Sequence, residues 1–224
     1  MKKVKNKIYF NFIILIVILS CTYRTQSNEQ RLDSLSTKNK ENKIDANYKT
    51  ITSKDIASFY YFNNRYGWYE IDTAKFKEKY YFNEQEKKAT IKESDFAYFR
   101  LKNTYEYYVL DSFKLGKYFY KIIIFQSDGE NDTKELQIML NSYDENQNLI
   151  DVILLDQRFT FESEYFREFN IDLNKKSINI KKYEIEHLIY DENSNIIGTK
   201  QNPDTMVAIV KYQISKQGNF KKVH

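Results

Sequence analysis

The sequence has few of the residues that most often carry catalysis and ligand binding. Among 224 residues there are one cysteine, one proline, five glycines and two histidines. A single cysteine excludes an internal disulfide, so the folded part of the chain depends on its hydrophobic core. The glycines form neither a GxxxxGK loop nor GxGxxG, which disfavours the common nucleotide-binding motifs. Paired-histidine metal spacing and the GxSxG nucleophile motif are also missing from the sequence.

The first 20 residues have the layout of a targeting segment. Four lysines before residue 8 precede an apolar run, Ile8–Leu19, that only Asn11 interrupts. As a helix this run of twelve residues would be roughly 18 Å long, well short of the ~30 Å of a bilayer core. We therefore expect a signal peptide that is removed, not a permanent membrane span.

The apolar run ends in Ile18-Leu19-Ser20-Cys21. This tetrapeptide resembles the signal of bacterial lipoproteins, with an aliphatic residue three positions before the cysteine and a small residue just before it. The resemblance implies that residues 1–20 are cleaved and that lipid on Cys21 anchors the protein in a membrane. Thr22 stands where some bacteria place an aspartate as an inner-membrane retention signal, so the expected destination is the outer membrane. An ordinary secretory peptide with an accidental cysteine is the alternative.

The charge of the chain depends on this segment. Four of the 35 basic side chains and none of the 31 acidic ones precede Cys21, so the remainder carries equal numbers of each. The isoelectric point near 8.8 is therefore a property of the targeting segment. A neutral remainder gives no support to nucleic-acid binding or to a polybasic membrane contact. We expect residues 21–50 to form the lipidated cysteine and a flexible tether, and residues 51–224 a single mostly β domain.

Aromatic residues dominate the first part of that domain. Tyr66, Trp68 and Tyr69 lie between two copies of the tetrapeptide YYFN. One interpretation is an aromatic platform that stacks on sugar rings or on an extended peptide. The simpler one is that Tyr and Phe favour strands and fill the core. In the same region, Asp72 is predicted to cap a helix from Thr73 to Tyr81.

Hydrophobic periodicity predicts a meander at the centre of the fold. Tyr118–Gln126 and Leu149–Leu155 are apolar on both faces, whereas Lys134–Tyr143 alternates. Further strands are predicted at Ala89–Ile91, Phe96–Leu101, Tyr105–Leu110, Arg158–Tyr165, Phe166–Leu173, Ser177–Tyr190, Met206–Ile214 and Phe220–Val223, with Pro203 in a loop. The expected fold is mainly β, an antiparallel meander that forms a sandwich or partly open barrel, with one or two short helices in the N-terminal part.

Three connections share a hairpin pattern: YDENQNLI at 143–150, YDENSNII at 190–197 and QISKQGNF at 213–220. In a three-residue hairpin loop the third residue of the loop takes a positive φ. The pattern predicts this conformation for Gln147, Ser194 and Gly218. It also predicts that the side-chain oxygens of Asp144, Asp191 and Ser215 accept the amide hydrogens of their turns.

Candidate metal and catalytic groups are sparse. Asp128, Glu130 and Asp132 form an oxygen cluster for a cation, although a solvated acidic connection is the default for such a loop. His187 falls on the apolar side of its predicted strand, which favours a core histidine over a general base. Asp151 interrupts an apolar strand, and burial would raise its pKa.

The second half of the domain, with its YDxNxN turns and closing YxIxxxGxF segment, is similar to small lipoproteins of Gram-negative, AT-rich bacteria. That resemblance implies an envelope protein and carries over no functional residue. We expect a non-catalytic binding or assembly module without a cofactor, whose partner is an envelope protein or a glycan. The alternatives are an immunity-type inhibitor of a protein toxin and a glycan hydrolase that uses paired carboxylates.

Overall fold

The computed structural model describes residues 50–94, 101, 105–129, 133–160 and 163–223. The predicted signal peptide and tether therefore lie outside the described residues, apart from Thr50. The described strands are β1 (Thr50–Thr52), β2 (Tyr60–Asn63), β3 (Trp68–Ile71), β4 (Tyr80–Tyr81), β5 (Ile91–Lys92), β6 (Glu106–Leu115), β7 (Tyr118–Asp128), β8 (Lys134–Tyr143), β9 (Leu149–Thr160), β10 (Ser163–Asp172), β11 (Ser177–Tyr190), β12 (Ile196–Ile214) and β13 (Phe220–Val223). The described helices are α1 (Ser53–Ile56) and α2 (Glu84–Lys88).

Strands β6 to β13 form one meander in which each strand pairs with the next along the chain. Short connections force neighbouring strands to run antiparallel. β4 extends the sheet beyond β6, β1 pairs with β10, and β5 pairs in parallel with β9, while β2 and β3 form a separate hairpin. The predicted mainly β meander, with few short helices and a sheet that is not closed, is confirmed. It fits either a sandwich or an open barrel.

The sheet turns a corner between β9 and β10. These strands pair only beside their connection, through Thr160 with Glu164 and Phe159 with Tyr165. Beyond that point β5 occupies the freed edge of β9, and β1 occupies the freed edge of β10. The two halves of the meander can therefore face each other across a common interior.

One hydrophobic core fills that interior. Its fully buried members include Ile122, Ile124, Leu136 and Ile138 from the first half and Ile171, Ile178 and Ile180 from the second. Each such side chain contributes about 1.5–3 kcal/mol to folding by leaving water. The opposite face of β7 to β9 bears a second cluster, which includes Ile123 and Phe125 and is covered by Phe82 and Leu101. This double burial confirms that β7 and β9 are apolar on both faces because they are central.

Side-chain hydrogen bonds connect β13 to β9. The Asp151 carboxylate accepts the Phe220 N–H at 2.7 Å and pairs with the Lys92 ammonium. Lys92 Nζ also donates to the Phe220 carbonyl oxygen at 2.6 Å. These contacts explain how Asp151, with a side chain 9 % exposed, interrupts an apolar strand.

The three hairpin turns have the predicted geometry. Gln147 and Ser194 adopt φ of 63° and Gly218 adopts 83°. Asp144 Oδ1 accepts the N–H groups of Asn146 and Asn148, both at 2.8 Å. Asp191 and Ser215 bind the corresponding amides of their own turns. Local sequence chemistry therefore sets these connections.

The predicted helix after Asp72 is wrong. Only a 3-10 turn, Thr73–Lys75, follows, and the Asp72 side chain makes no capping bond. Phe76 is already extended, and Tyr80–Tyr81 pairs with β6. Pairing with a neighbouring strand has overridden a weak local helix signal.

Two other predicted boundaries differ. The break expected between Tyr165 and Phe166 does not exist, because both lie inside β10. The loop expected around Pro203 is part of β12. The strand predicted at Phe96–Leu101 lies outside the described residues, apart from Leu101.

Candidate binding surface

The β11–β12 hairpin leaves a strand edge open. β12 pairs with β11 along its length, but β13 covers only Lys211 to Ile214 on the other side. From Ile196 to Val210, no other described strand pairs with that second edge. Backbone N–H and C=O groups that point outward from such an edge are available to another strand.

A bulge sets one limit of this edge. Glu186 lies opposite Asp204 and Leu188 opposite Thr199, so β12 advances five residues where β11 advances two. Pro203 lies within the extra length, where its missing N–H interrupts no ladder bond. The regular open stretch is therefore 204–210, between the bulge and the start of β13. We call this stretch the open edge.

Apolar side chains dominate the open edge. Met206, Val207 and Ile209 are 62 %, 50 % and 62 % exposed. Because successive side chains alternate between faces, both faces of the strand are apolar here. Charge is confined to Asp204, whose carboxylate pairs with Lys200 at 3.0 Å. The surface therefore suits an uncharged extended segment that adds to the sheet as a further strand.

The predicted aromatic triad does not form one platform. Tyr66, which is 49 % exposed, stacks on Trp68 with ring centroids 5.1 Å apart. Tyr69 follows Trp68 on β3 and so points to the opposite face. There it packs against the core and under the Arg158 guanidinium, 5.3 Å from its ring centroid. The structure brings two of the three predicted residues together.

The predicted cation cluster is only partly described. Glu130 and Asp132 lie outside the described residues. Asp128 binds the Lys134 ammonium at 2.7 Å and accepts the Tyr105 hydroxyl at 3.1 Å. Within the ranges that the structure covers, no group of three His, Cys, Asp or Glu side chains is arranged to hold a metal ion.

Sequence reasoning missed a buried ionic cluster at Glu93. This residue has a positive φ of 60° and a side chain 7 % exposed. Its carboxylate accepts the Tyr212 hydroxyl at 2.5 Å and binds the Lys182 and Lys222 ammonium groups at 2.9 and 3.0 Å. The Arg167 guanidinium donates to its carbonyl oxygen at 2.8 Å. The cluster thus joins the end of β5 to strands β10 to β13.

The electrostatics of Glu93 favour a permanent anion. Burial alone would raise the pKa of this carboxyl. Donation from Tyr212, Lys182 and Lys222 outweighs burial and lowers the pKa to about 2. A group with this pKa does not exchange a proton near neutral pH. The cluster is therefore suited to holding strands together and unsuited to general acid catalysis.

A second cluster holds Arg158 beneath aromatic rings. Arg158 Nε donates to the buried Asp156 carboxylate at 2.8 Å. The guanidinium carbon lies 5.1 to 5.5 Å from the ring centroids of Tyr60, Tyr69 and Phe166. Cation–π contacts of this kind stabilise a partly desolvated charge. The cluster attaches the β2–β3 hairpin to the main sheet.

The carboxylates offer limited support for a hydrolase. Burial raises the pKa of Asp111 to about 6. The Ser112 N–H, which donates to the carboxylate, lowers this pKa in part, and the negative charge of Asp55 raises it by a smaller amount. That pKa suits a general acid. However, Asp55 accepts the N–H and hydroxyl of Thr52 at 2.7 and 2.8 Å, so it serves as a helix cap. The two groups are not a free pair of carboxylates.

The predicted core position of His187 is wrong. Its side chain is 44 % exposed, and Nε2 lies 3.6 Å from Glu164 Oε2. β11 extends past the paired part of β10 at this point, because the last pair is Glu186 with Ser163. An apolar alternation in the sequence does not indicate burial where the neighbouring strand has ended.

No protein-family model, curated protein or solved structure matches this chain. In the described part of the chain, no helix is long and apolar enough to cross a bilayer.

The open edge had a weak signal in the sequence. Thr205–Val210 is uncharged and apolar, but the same composition is typical of a buried strand. Its unpaired backbone edge follows from the shortness of β13. The Glu93 cluster had no local signal, because its partners lie roughly 75 to 130 residues further along the chain.

Proposed function

We propose that this protein is a lipid-anchored, non-catalytic binding module of the bacterial envelope, and that it takes an extended segment of another envelope protein along the open edge. The observation that carries the proposal is a regular strand edge with apolar side chains on both faces. Only a strand that lies in the plane of the sheet contacts both faces and the backbone groups together.

The limits of the open edge favour a single segment over a second copy of this chain. Lys211 pairs with Val223 of β13. If two copies paired antiparallel through β12 with Val207 at the centre, Lys211 and Val223 of the copy would lie opposite Pro203 and its bulge, where β12 is irregular. A segment with no strand beside it avoids that conflict. Its length is about six or seven residues, and low charge complements Thr205–Val210.

The sequence at Cys21 supports the location. Lipid on this residue, with a tether up to residue 50, would hold the domain on the order of 30 Å from the membrane surface. The signal resemblance and Thr22 favour the outer membrane. The test is metabolic labelling with palmitate. The parent chain is expected to incorporate label and Cys21→Ser to lose it, and equal labelling of the two would contradict lipidation at Cys21.

The binding proposal is tested with the full chain, tagged after His224 and extracted in detergent. Envelope proteins captured by the parent are compared with those captured by Val207→Lys. Val223→Lys is the matched control, because Val223 is similarly exposed at 48 % but lies on β13. Amide hydrogen exchange is then measured with and without each captured protein.

The expected result is a protein whose capture falls at least about tenfold with Val207→Lys and is retained with Val223→Lys. It should also slow amide exchange in 204–210. Equal capture by the two variants, or unchanged exchange in this stretch, would contradict the proposal. Slowed exchange in the pure chain that rises with its concentration would identify a second copy as the occupant and also overturn it. A captured toxin would point to the immunity-type role.

A further inference from the structure

A cavity of about 270 Å³ lies where three turns of the sheet meet. It is lined by residues of the β6–β7, β10–β11 and β12–β13 connections, and each connection supplies one lysine: Lys117, Lys176 and Lys216. Tyr118 contributes aromatic surface, whereas Tyr120 is a core residue only 1 % exposed. The cavity lies away from the open edge, so it is independent of the proposed function.

The cavity concentrates positive charge. Its lining includes no carboxylate, and none of the three lysines forms an ion pair within the described residues. Lys117 lowers the pKa of one acidic side chain, Asp144 in the β8–β9 turn. The largest lowering of the Asp144 pKa comes from hydrogen bonds donated by the Asn148 side chain and backbone, and the smallest comes from Lys117. The Lys117 ammonium lies over the Tyr118 ring, 5.6 Å from its centroid, and none of the three lysines has an ion-pair partner among the described residues.

The backbone at Lys176 is strained. Its φ is 53°, a region that glycine adopts without cost and that side chains with a Cβ rarely occupy. The Ile214 N–H donates to the Lys176 carbonyl oxygen at 2.7 Å and fixes this conformation. Gln147 and Ser194 adopt a similar φ in their hairpin turns, so this conformation identifies a turn position and is not by itself a sign of a ligand site. Here it places a lysine on the cavity where glycine would suit the turn better.

The aromatic surface is rigid. The Tyr118 ring packs against Gly218, where an added Cβ would lie 3.0 Å from Tyr118 Cδ1. Tyr120 stacks on Phe113 with centroids 4.9 Å apart and planes 8° apart. The cavity therefore combines three lysines with the Tyr118 ring. A ligand that uses both features carries a compact anion on an apolar or aromatic group.

We propose that this cavity binds a phosphate monoester whose organic part contacts the Tyr118 ring. A phosphate dianion offers acceptors to several ammonium groups at once. The volume falls just below the range of about 300–1,000 Å³ that is typical of small-molecule sites, so the bound group is small. The phosphate belongs either to a free small molecule or to a lipid headgroup.

Phenyl phosphate is the first probe, titrated into the full chain while amide chemical shifts are followed. Inorganic phosphate and phenol test the two halves of the ligand separately. The variants are Lys176→Gly, which also relieves the positive φ, and Lys216→Gln. Lys221→Gln is the control, because it removes the same charge from an exposed β13 position outside the lining.

Phenyl phosphate is expected to bind more tightly than inorganic phosphate or phenol. Lys176→Gly and Lys216→Gln should each weaken its binding about tenfold, and Lys221→Gln should leave it unchanged. Unfolding midpoints of the variants show whether a loss reflects misfolding, which Lys176→Gly is expected not to cause. Failure of the parent chain to bind near 10 mM, a concentration on the order of the weakest specific sites, overturns the proposal. An equal loss with Lys221→Gln overturns it as well.

Vesicles that contain phosphatidic acid, whose headgroup is a phosphate monoester, distinguish the two sources. They are added to the full chain with Cys21→Ser, with and without Lys176→Gly, so that no lipid on Cys21 inserts into the vesicle. Binding to vesicles that phenyl phosphate displaces and that Lys176→Gly abolishes assigns the site to a lipid headgroup. Binding of phenyl phosphate without such vesicle binding assigns it to a free phosphorylated molecule. Either result supports a phosphate site.

Discussion

Replacement of Glu93 by glutamine tests whether the buried ionic cluster holds the two halves of the sheet together. The change keeps the size of the side chain and removes its charge. Lys182, with a side chain 13 % exposed, and Lys222 would lose their anionic partner. Loss of the carboxylate charge removes its attraction to both ammonium groups, so the folded state should lose stability.

The pKa of Glu93 sets the magnitude. It falls from 4.5 to about 2 on folding, and each pKa unit corresponds to about 1.4 kcal/mol. The ionised carboxylate therefore contributes roughly 3 kcal/mol near neutral pH. A loss of this size corresponds to a fall of roughly 6–12 °C in unfolding temperature for a chain of this length.

The pH dependence gives the sign. Because the folded pKa is lowered, the stabilisation is fully present above about pH 4.5 and is lost as the pH falls towards about 2. Urea unfolding of the parent and Glu93→Gln chains is measured between about pH 7 and pH 2.5. The difference in unfolding free energy should be about 3 kcal/mol at neutral pH and should shrink steadily below about pH 4.5.

Two controls accompany this measurement. Glu192→Gln changes an exposed turn residue and should alter stability by less than about 0.5 kcal/mol. Combining Glu93→Gln with Lys182→Met should cost less than the sum of the two single changes, because both disrupt one ion pair. A Glu93→Gln effect below about 1 kcal/mol, or one that is constant across the pH range, would refute a stabilising role for the cluster.

Three further changes test local features. Asp111→Asn should stabilise the protein by about 1–2 kcal/mol near neutral pH, allowing for partial exposure, because burial raises the Asp111 pKa to about 6. In the same urea series the gain should vanish below about pH 4, where the carboxyl is protonated in the folded and unfolded states. A gain that persists there would contradict this reasoning. Gln147→Gly should raise the unfolding free energy by about 0.5–1 kcal/mol, because it relieves the positive φ. Gly218→Ala should lower it by about 1–3 kcal/mol, because φ is 83° and the added Cβ would lie 3.0 Å from the Tyr118 ring. Thermal unfolding in which the two variants shift in the same direction would refute the turn assignment.

The centre of the fold could be predicted because its signals are local. The bounds of β8 and β11 follow from alternation, and Asp144 and Asp191 form their turns with hydrogen bonds inside five residues. The N-terminal part could not be predicted equally well. β4 replaces the expected helix because it pairs with β6, more than 20 residues away, which no local pattern shows.

The candidate sites depend on tertiary structure even more. Met206 and Ile209 have the composition of a core strand, but they are 62 % exposed, and the end of β13 leaves the backbone edge beside them unpaired. The cavity lysines come from three turns that are distant in the sequence. Of the predicted aromatic residues, Trp68 and Tyr69 are separated by the alternation of β3, which a count of aromatics ignores.

The pairing of β1 with β10 has a consequence for the order of folding. Ile51 lies opposite Ile171, 120 residues further along the chain. During synthesis at about 5–20 residues per second, roughly 6–24 s pass before its partner is made. The meander from β6 to β13 contains only neighbouring pairs and has no such delay. β1 therefore docks later than the hairpins formed by neighbouring strands, and the Ile51 side chain stays exposed until β10 is available.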